Sequence, residues 1–262
     1  MNKKVTFCTT VYPQGFQEYA QKTFCSYVNL PPDSSLVLFT EDFELDFNYN
    51  TSCEVKKIDL FTASPKCKHF VDRHAPNPRT NSYKVRPYKK NYLKFCYKVY
   101  AMCQASRLAE SDFLVWIDSD IYIKKALDEK ILDYICDDNY FIAYLNRENS
   151  PTNNQGTYDY DFPETGLISF NLKHSQAANF FDMFEEQYNE DLIFQNEAWD
   201  DTSIFDLIRA GFEKFYGVKN KKLSSGKGKF PLEEVALLKE YFFHPMGDRK
   251  LLSAYEKIEK TS

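Results

Sequence analysis

The chain has 262 residues, 43% of them hydrophobic and 27% charged, with a formal net charge of −5. This length buries a full core without covalent staples, and the acidic balance argues against a nucleic-acid binder working by general electrostatics. Only 8 residues are glycine, and neither G-x-x-x-x-G-K-S/T nor G-x-G-x-x-G occurs, which excludes a P-loop and a standard dinucleotide fingerprint.

In chain order, residues 4–10 read as a short buried strand. Phe16, Tyr19, Ala20, Phe24, Tyr27 and Val28 then recur at helical spacing over 15–28, and Pro31-Pro32-Asp33 ends that helix. Ser35–Thr40 and Cys53–Ile58 are the next two strands, a β-α-β opening that predicts a parallel sheet. Residues 62–91 carry Pro65, Pro76, Pro78 and Pro87 among His69, Arg73, His74, Arg79, Lys84 and Arg86, without a clean period. They are expected to form a long irregular loop, either an acceptor-binding lid or a solvated insertion.

Helical spacing returns over 91–109. Asp112–Ile117 is a strongly apolar strand that ends in Asp118-Ser119-Asp120. Strands follow at 139–145 and 166–171, separated by a polar and aromatic loop at 146–163. Residues 175–188 and 201–211 read as helices, and 217–231 as a basic Gly/Ser-containing loop. A short helix at 232–241, a strand-like Tyr-Phe-Phe-His at 241–244 and a helical tail complete the chain.

The seven cysteines are odd in number and form no C-x-x-C, and Cys8, Cys96 and Cys103 lie in apolar runs. A reducing, cytoplasmic compartment fits this usage. The apolar run near the N-terminus is too short for a signal peptide, and no apolar stretch is long enough to span a membrane.

Two constellations carry chemistry. The first is Asp118-x-Asp120 at the end of an apolar strand, where open α/β sheets bind ligands. In extended backbone these two carboxylates point the same way, and a divalent cation relieves their repulsion. The plain alternative is a capping Asp118 and a solvated Asp120. The second is His244-x-x-Gly247-x-x-Lys250: an imidazole able to ligate metal, a glycine that admits close backbone approach, and a point charge suited to a diphosphate.

Taken together, D-x-D after a hydrophobic strand and H-x-x-G-x-x-K near the C-terminus resemble the metal-dependent GT-A glycosyltransferases, especially the glycogenin-like family 8. The resemblance implies a Rossmann-like α/β fold with a mixed, mainly parallel sheet flanked by helices. It implies one domain over 1–262, with a nucleotide-binding part at about 1–122 and an acceptor-side part at about 123–262. It makes Asp118, Asp120 and His244 ligands of Mn2+ or Mg2+, and sets Ser119, Gly247 and Lys250 on a nucleotide-sugar donor, most naturally a UDP-sugar.

The same resemblance covers intermediate segments. Phe162–Lys173 is similar to a family stretch in which a polar residue before a glycine faces a sugar; Glu164 takes that place. Trp199–Ile204 is similar to the D-Q-D segment that starts a helix, with Asp201 where the family has Gln. Asp200 and Asp201 are therefore candidates for the reacting centre, with helix capping as their alternative. Thr9 and Tyr12 fall where the base is held, Tyr12 either stacking on uracil or packing under the sheet edge. Lys98 falls where a cation reaches the donor, with a solvated helix face as its alternative. Leu251-Leu252 replaces the family's Pro-Trp. The acceptor implied is a glycan, lipid or protein hydroxyl. A catalytically inactive sugar-binding or nucleotide-sugar-binding relative and a D-x-D phosphatase are the competing readings.

Overall fold

Largely apolar runs make the central strands, because a strand covered by helices on both faces needs no polar alternation. The computed structural model describes residues 3–46, 51–79, 91–147, 163–226 and 230–245. In chain order it contains β1 (Val5–Val11), α1 (13–29), β2 (Ser35–Thr40), β3 (Glu54–Asp59), α2 (Leu60–Ala63), α3 (Pro65–His74) and α4 (Tyr92–Leu108). These are followed by β4 (Phe113–Ile117), β5 (Tyr122–Ile123), α5 (Glu129–Ile135), β6 (Ile142–Leu145), β7 (Glu164–Asn171) and α6 (Ala177–Asn189). The last elements are α7 (Asp201–Tyr216), β8 (Asn220–Lys222), α8 (Pro231–Glu234), α9 (Ala236–Tyr241) and β9 (Phe242–Phe243).

Seven strands form the main sheet in the order β3-β2-β1-β4-β7-β6-β8. All neighbours pair in parallel except β7, which runs antiparallel to both β4 and β6. The mixed, mainly parallel sheet expected from the sequence is thus present. A separate two-stranded ribbon joins β5 to β9, with Tyr122 opposite Phe243.

Alternate residues of each central strand feed two cores. On β4, Leu114 and Trp116 face α4, α6 and α7, whereas Phe113, Val115 and Ile117 face α1 and the 231–241 region. α4 buries residues around most of its circumference, including Lys98, as expected of a helix wedged between sheet and outer helices. Much of the aromatic excess is core: Phe170, Phe180, Phe181 and Phe205 interlock edge to face or tilted.

Several elements differ from expectation. Residues 62–91 are not irregular throughout, since α2 and α3 occupy 60–74. Asp59 caps α2 by accepting from Thr62 N at 2.7 Å, and Ser64 caps α3 by accepting from Cys67 N at 3.3 Å. Pro65 therefore sits in the first turn of a helix, where its missing N–H costs nothing. The basic side chains are not merely solvated: Arg73 and His74 meet Asp191 at 2.7 and 2.8 Å. Lys84 and Arg86 lie outside the described residues.

The 217–231 segment holds β8, a lysine-bearing edge strand of the kind that discourages further pairing. The helix expected at 232–241 is interrupted at Val235, and α1 widens to a π turn over Phe16–Ala20. That widening begins just after Gly15, where an added Cβ would lie 2.6 Å from the Tyr12 ring and 2.7 Å from the Tyr19 hydroxyl. Most of the 146–163 loop, and the tail from 246, lie outside the described residues. Among the described residues no helix is long and apolar enough to cross a membrane.

Candidate metal centre

β4 delivers Asp118 to the carboxyl edge of the sheet, and Asp118 N donates to Gly166 O at 2.8 Å, extending the ladder to β7. The chain then reverses: Ile121 N donates to Asp118 O at 2.9 Å. Asp118-Ser119-Asp120 is therefore a tight turn rather than the extended segment that sequence spacing suggested. The reversal is what lets β5 pair with β9, and that pairing carries His244 from the far end of the described chain to the side of Asp120.

One ligand atom from each of Asp118, Asp120 and His244 fits within a mutual distance of 4.8 Å. His244 Nε2 lies 3.2 Å from Asp120 Oδ1. With metal–ligand bonds of about 2.1 Å, adjacent corners of an octahedron stand about 3 Å apart, so the spacing suits one shared divalent ion. Two hard carboxylates and one imidazole are also a donor set that Mn2+ or Mg2+ accepts.

The histidine is buried, and its second nitrogen is engaged as well: Nδ1 lies 2.7 Å from Glu164 Oε1. Burial opposes its charge, but Asp120 and Glu164 outweigh that and raise its pKa to about 10. Glu164 responds in the opposite sense. Burial alone would raise it, yet His244 and then Arg147 hold it down at about 2. His244 and its two carboxylate neighbours thus hold one another in their charged forms.

A second buried cluster adjoins the first through Asp118. Lys98 Nζ donates to Asp118 Oδ1 at 2.8 Å, to Thr165 O at 2.7 Å and to Thr165 Oγ1 at 3.0 Å, and pairs with Asp201 Oδ2 at 3.1 Å. Burial disfavours its charge, but Asp118 and Asp201 more than compensate and raise its pKa. Thr165 Oγ1 also lies 2.7 Å from Asp201 Oδ2, and Trp116 Nε1 donates to Asp118 Oδ1 at 2.7 Å. Lys98 is therefore neither on a solvated face nor an arm reaching outward; it joins two carboxylates.

The remaining sequence candidates separate. Asp200 caps α7, accepting from Ser203 N at 3.1 Å and Ser203 Oγ at 2.8 Å, so its capping alternative holds. Thr9 is fully buried inside β1, whereas its neighbour Thr10 reaches the sheet edge and donates to Glu41 at 3.1 Å. Tyr12 is half-buried and packs edge-on to Tyr19 at 6.5 Å. Ser119 shares a hydrogen bond with Tyr19. Gly247 and Lys250 lie outside the described residues. Sequence reasoning does not bring Arg147, Thr165, Tyr19 or Glu41 to the site: Tyr19 reads as part of a helix's apolar spacing, Thr165 as a strand residue beside Glu164, and Arg147 and Glu41 stand in no motif.

Glu41 gives a pH prediction. Burial pushes its carboxyl from 4.5 to about 7, despite the opposing Thr10 hydroxyl and Lys94. With the folded pKa above the unfolded one, its contribution to stability is complete below about 4.5 and is lost as pH rises through 7. Glu41→Gln is expected to gain stability over the natural chain between pH 5 and pH 8 by on the order of 2 kcal/mol. Urea unfolding at the two pH values measures this, and an unchanged difference contradicts it.

No protein-family model matches the chain, and no curated protein matches its sequence. Its structure is similar to that of mouse xyloside xylosyltransferase 1 in the apo form. The two share 12% sequence identity at a TM-score of 0.51, and the match covers 84% of this chain and 85% of that one. The likeness shows the GT-A type of α/β fold expected from the sequence.

Proposed function

We propose that the protein is a metal-dependent glycosyltransferase that moves a sugar from a UDP-sugar to an acceptor hydroxyl on a glycan, lipid or protein. The observation that carries this reading is the convergence of Asp118, Asp120 and His244 at the carboxyl edge of β4. The structural likeness to a xylosyltransferase supports the reaction class.

In this reading Asp118, Asp120 and His244 hold Mn2+ or Mg2+. Such an ion supplies a Lewis acid that offsets negative charge on the leaving diphosphate. Lys250 adds a point charge at the same diphosphate, where Gly247 permits close approach. Asp201, fixed by Lys98 and Thr165, is the carboxylate that would act at the reacting centre, as its match to the D-Q-D segment implies. Tyr12 and Ser119 line the nucleoside side, Tyr12 offering its ring to the base. Residues 1–122 form the nucleotide part and 123–262 the acceptor side of one domain. The thiols, nearly all buried, suit a reducing cytoplasm.

The experiment is turnover of UDP-, GDP-, CMP- and dTDP-sugars with Mn2+ and with EDTA. Slow hydrolysis of a UDP-sugar that requires the cation is expected. Absence of both turnover and binding for every donor, with Mn2+ present, refutes the proposal.

A further inference from the structure

Glu164 opens β7 and is 7% exposed. Both its oxygens are committed to protein groups. Oε1 lies 2.7 Å from His244 Nδ1, while Oε2 accepts from Arg147 Nε at 3.1 Å and from Arg147 Nη2 at 2.5 Å. On the other side of the imidazole, Nε2 faces Asp120 at 3.2 Å. Gly166 lies close beneath the pair. A Cβ there would stand 3.0 Å from His244 Cε1 and 3.2 Å from Glu164 Oε1, tighter than side chains ordinarily pack.

A neutral imidazole has one N–H and one lone pair, and the hydrogen bond made by one nitrogen decides what the other can do. A carboxylate on Nδ1 holds the proton there and leaves the Nε2 lone pair for a cation. Arg147 in turn satisfies the carboxylate, which would otherwise be a costly buried charge.

We infer that Glu164, clamped by Arg147, is a positioning residue that fixes His244 with Nδ1 on the carboxylate and Nε2 on the cation shared with Asp118 and Asp120. This rests on the metal reading above and adds the groups that set its histidine. It assigns Glu164 to the histidine, where the resemblance sets a residue facing a sugar.

The test is titration with Mn2+ alone, following the electron paramagnetic resonance of the free ion, for the natural chain, Asp120→Asn, Glu164→Ala, Glu164→Gln and Arg147→Gln. Thermal melts confirm that each variant is folded. Glu164→Ala is expected to lose about 10–100-fold in Mn2+ affinity. Glu164→Gln should recover part of that loss, because its carbonyl oxygen still accepts from Nδ1–H. Arg147→Gln should fall between Glu164→Gln and the natural chain.

If Glu164 only supported the fold, its variants would melt lower and bind Mn2+ as the natural chain does. Normal affinity in all three variants, with Asp120→Asn impaired, overturns the positioning role and spares the metal reading. Failure of the natural chain to bind, or normal binding by Asp120→Asn, overturns both. If Glu164→Ala does not fold, the Gln variants of Glu164 and Arg147 decide the matter.

Discussion

Lys98→Met is expected to destabilise the fold by roughly 3–5 kcal/mol, the cost typical of breaking a buried ion pair from one side. Lys98 and Asp201 are both nearly inaccessible, at 8% and 2% exposure. The ammonium meets Asp118 at 2.8 Å and Asp201 at 3.1 Å and also satisfies Thr165 O. Methionine keeps the stem as far as Cε but supplies neither the ammonium nor its charge, so two carboxylates are left facing one another without the cation between them. The double variant Lys98→Met with Asp201→Asn removes one of those charges and should recover part of the loss, since the two sites are directly coupled. Urea unfolding reads both. A loss under about 1 kcal/mol for Lys98→Met, the range of exposed pairs, contradicts this description.

The largest effect on binding is expected from Asp120→Asn. The substitution keeps the shape of the side chain and removes its charge. Asp120 is 5% exposed, so little water is present to replace the missing ligand. Its Oδ1 also faces His244 Nε2 at 3.2 Å, so both the charge and the geometry of the cation site depend on it. Outer-shell changes at metal sites cost about 10–100-fold in affinity, and removing an anionic ligand should cost at least the upper end of that range. Uridine diphosphate, held in this account through the cation, should weaken in proportion.

The central strands and the D-x-D position are legible because buried strands announce themselves as apolar runs and β4 ends directly in its two carboxylates. The shape of that turn was not, because the hydrogen bond from Ile121 N to Asp118 O leaves no mark on side-chain spacing. His244 could be linked to Asp120 only through the pattern of a family, since the pairing of β5 with β9 is a tertiary event between two-residue strands. Over 65–74 the prolines of the basic segment read as breakers, whereas Ser64 and Pro65 start a helix there. Glu164 and Lys98 are picked out by the family resemblance. Their partners, Arg147 and Thr165, are ordinary residues whose importance comes only from where β6 and β7 bring them.

Calorimetric titration of uridine diphosphate into the natural chain, with Mn2+ and again with EDTA, tests the metal-centred account most directly. Binding that requires Mn2+ and is lost in Asp120→Asn is the predicted result. Equal affinity for the nucleotide in EDTA and in Mn2+ contradicts it.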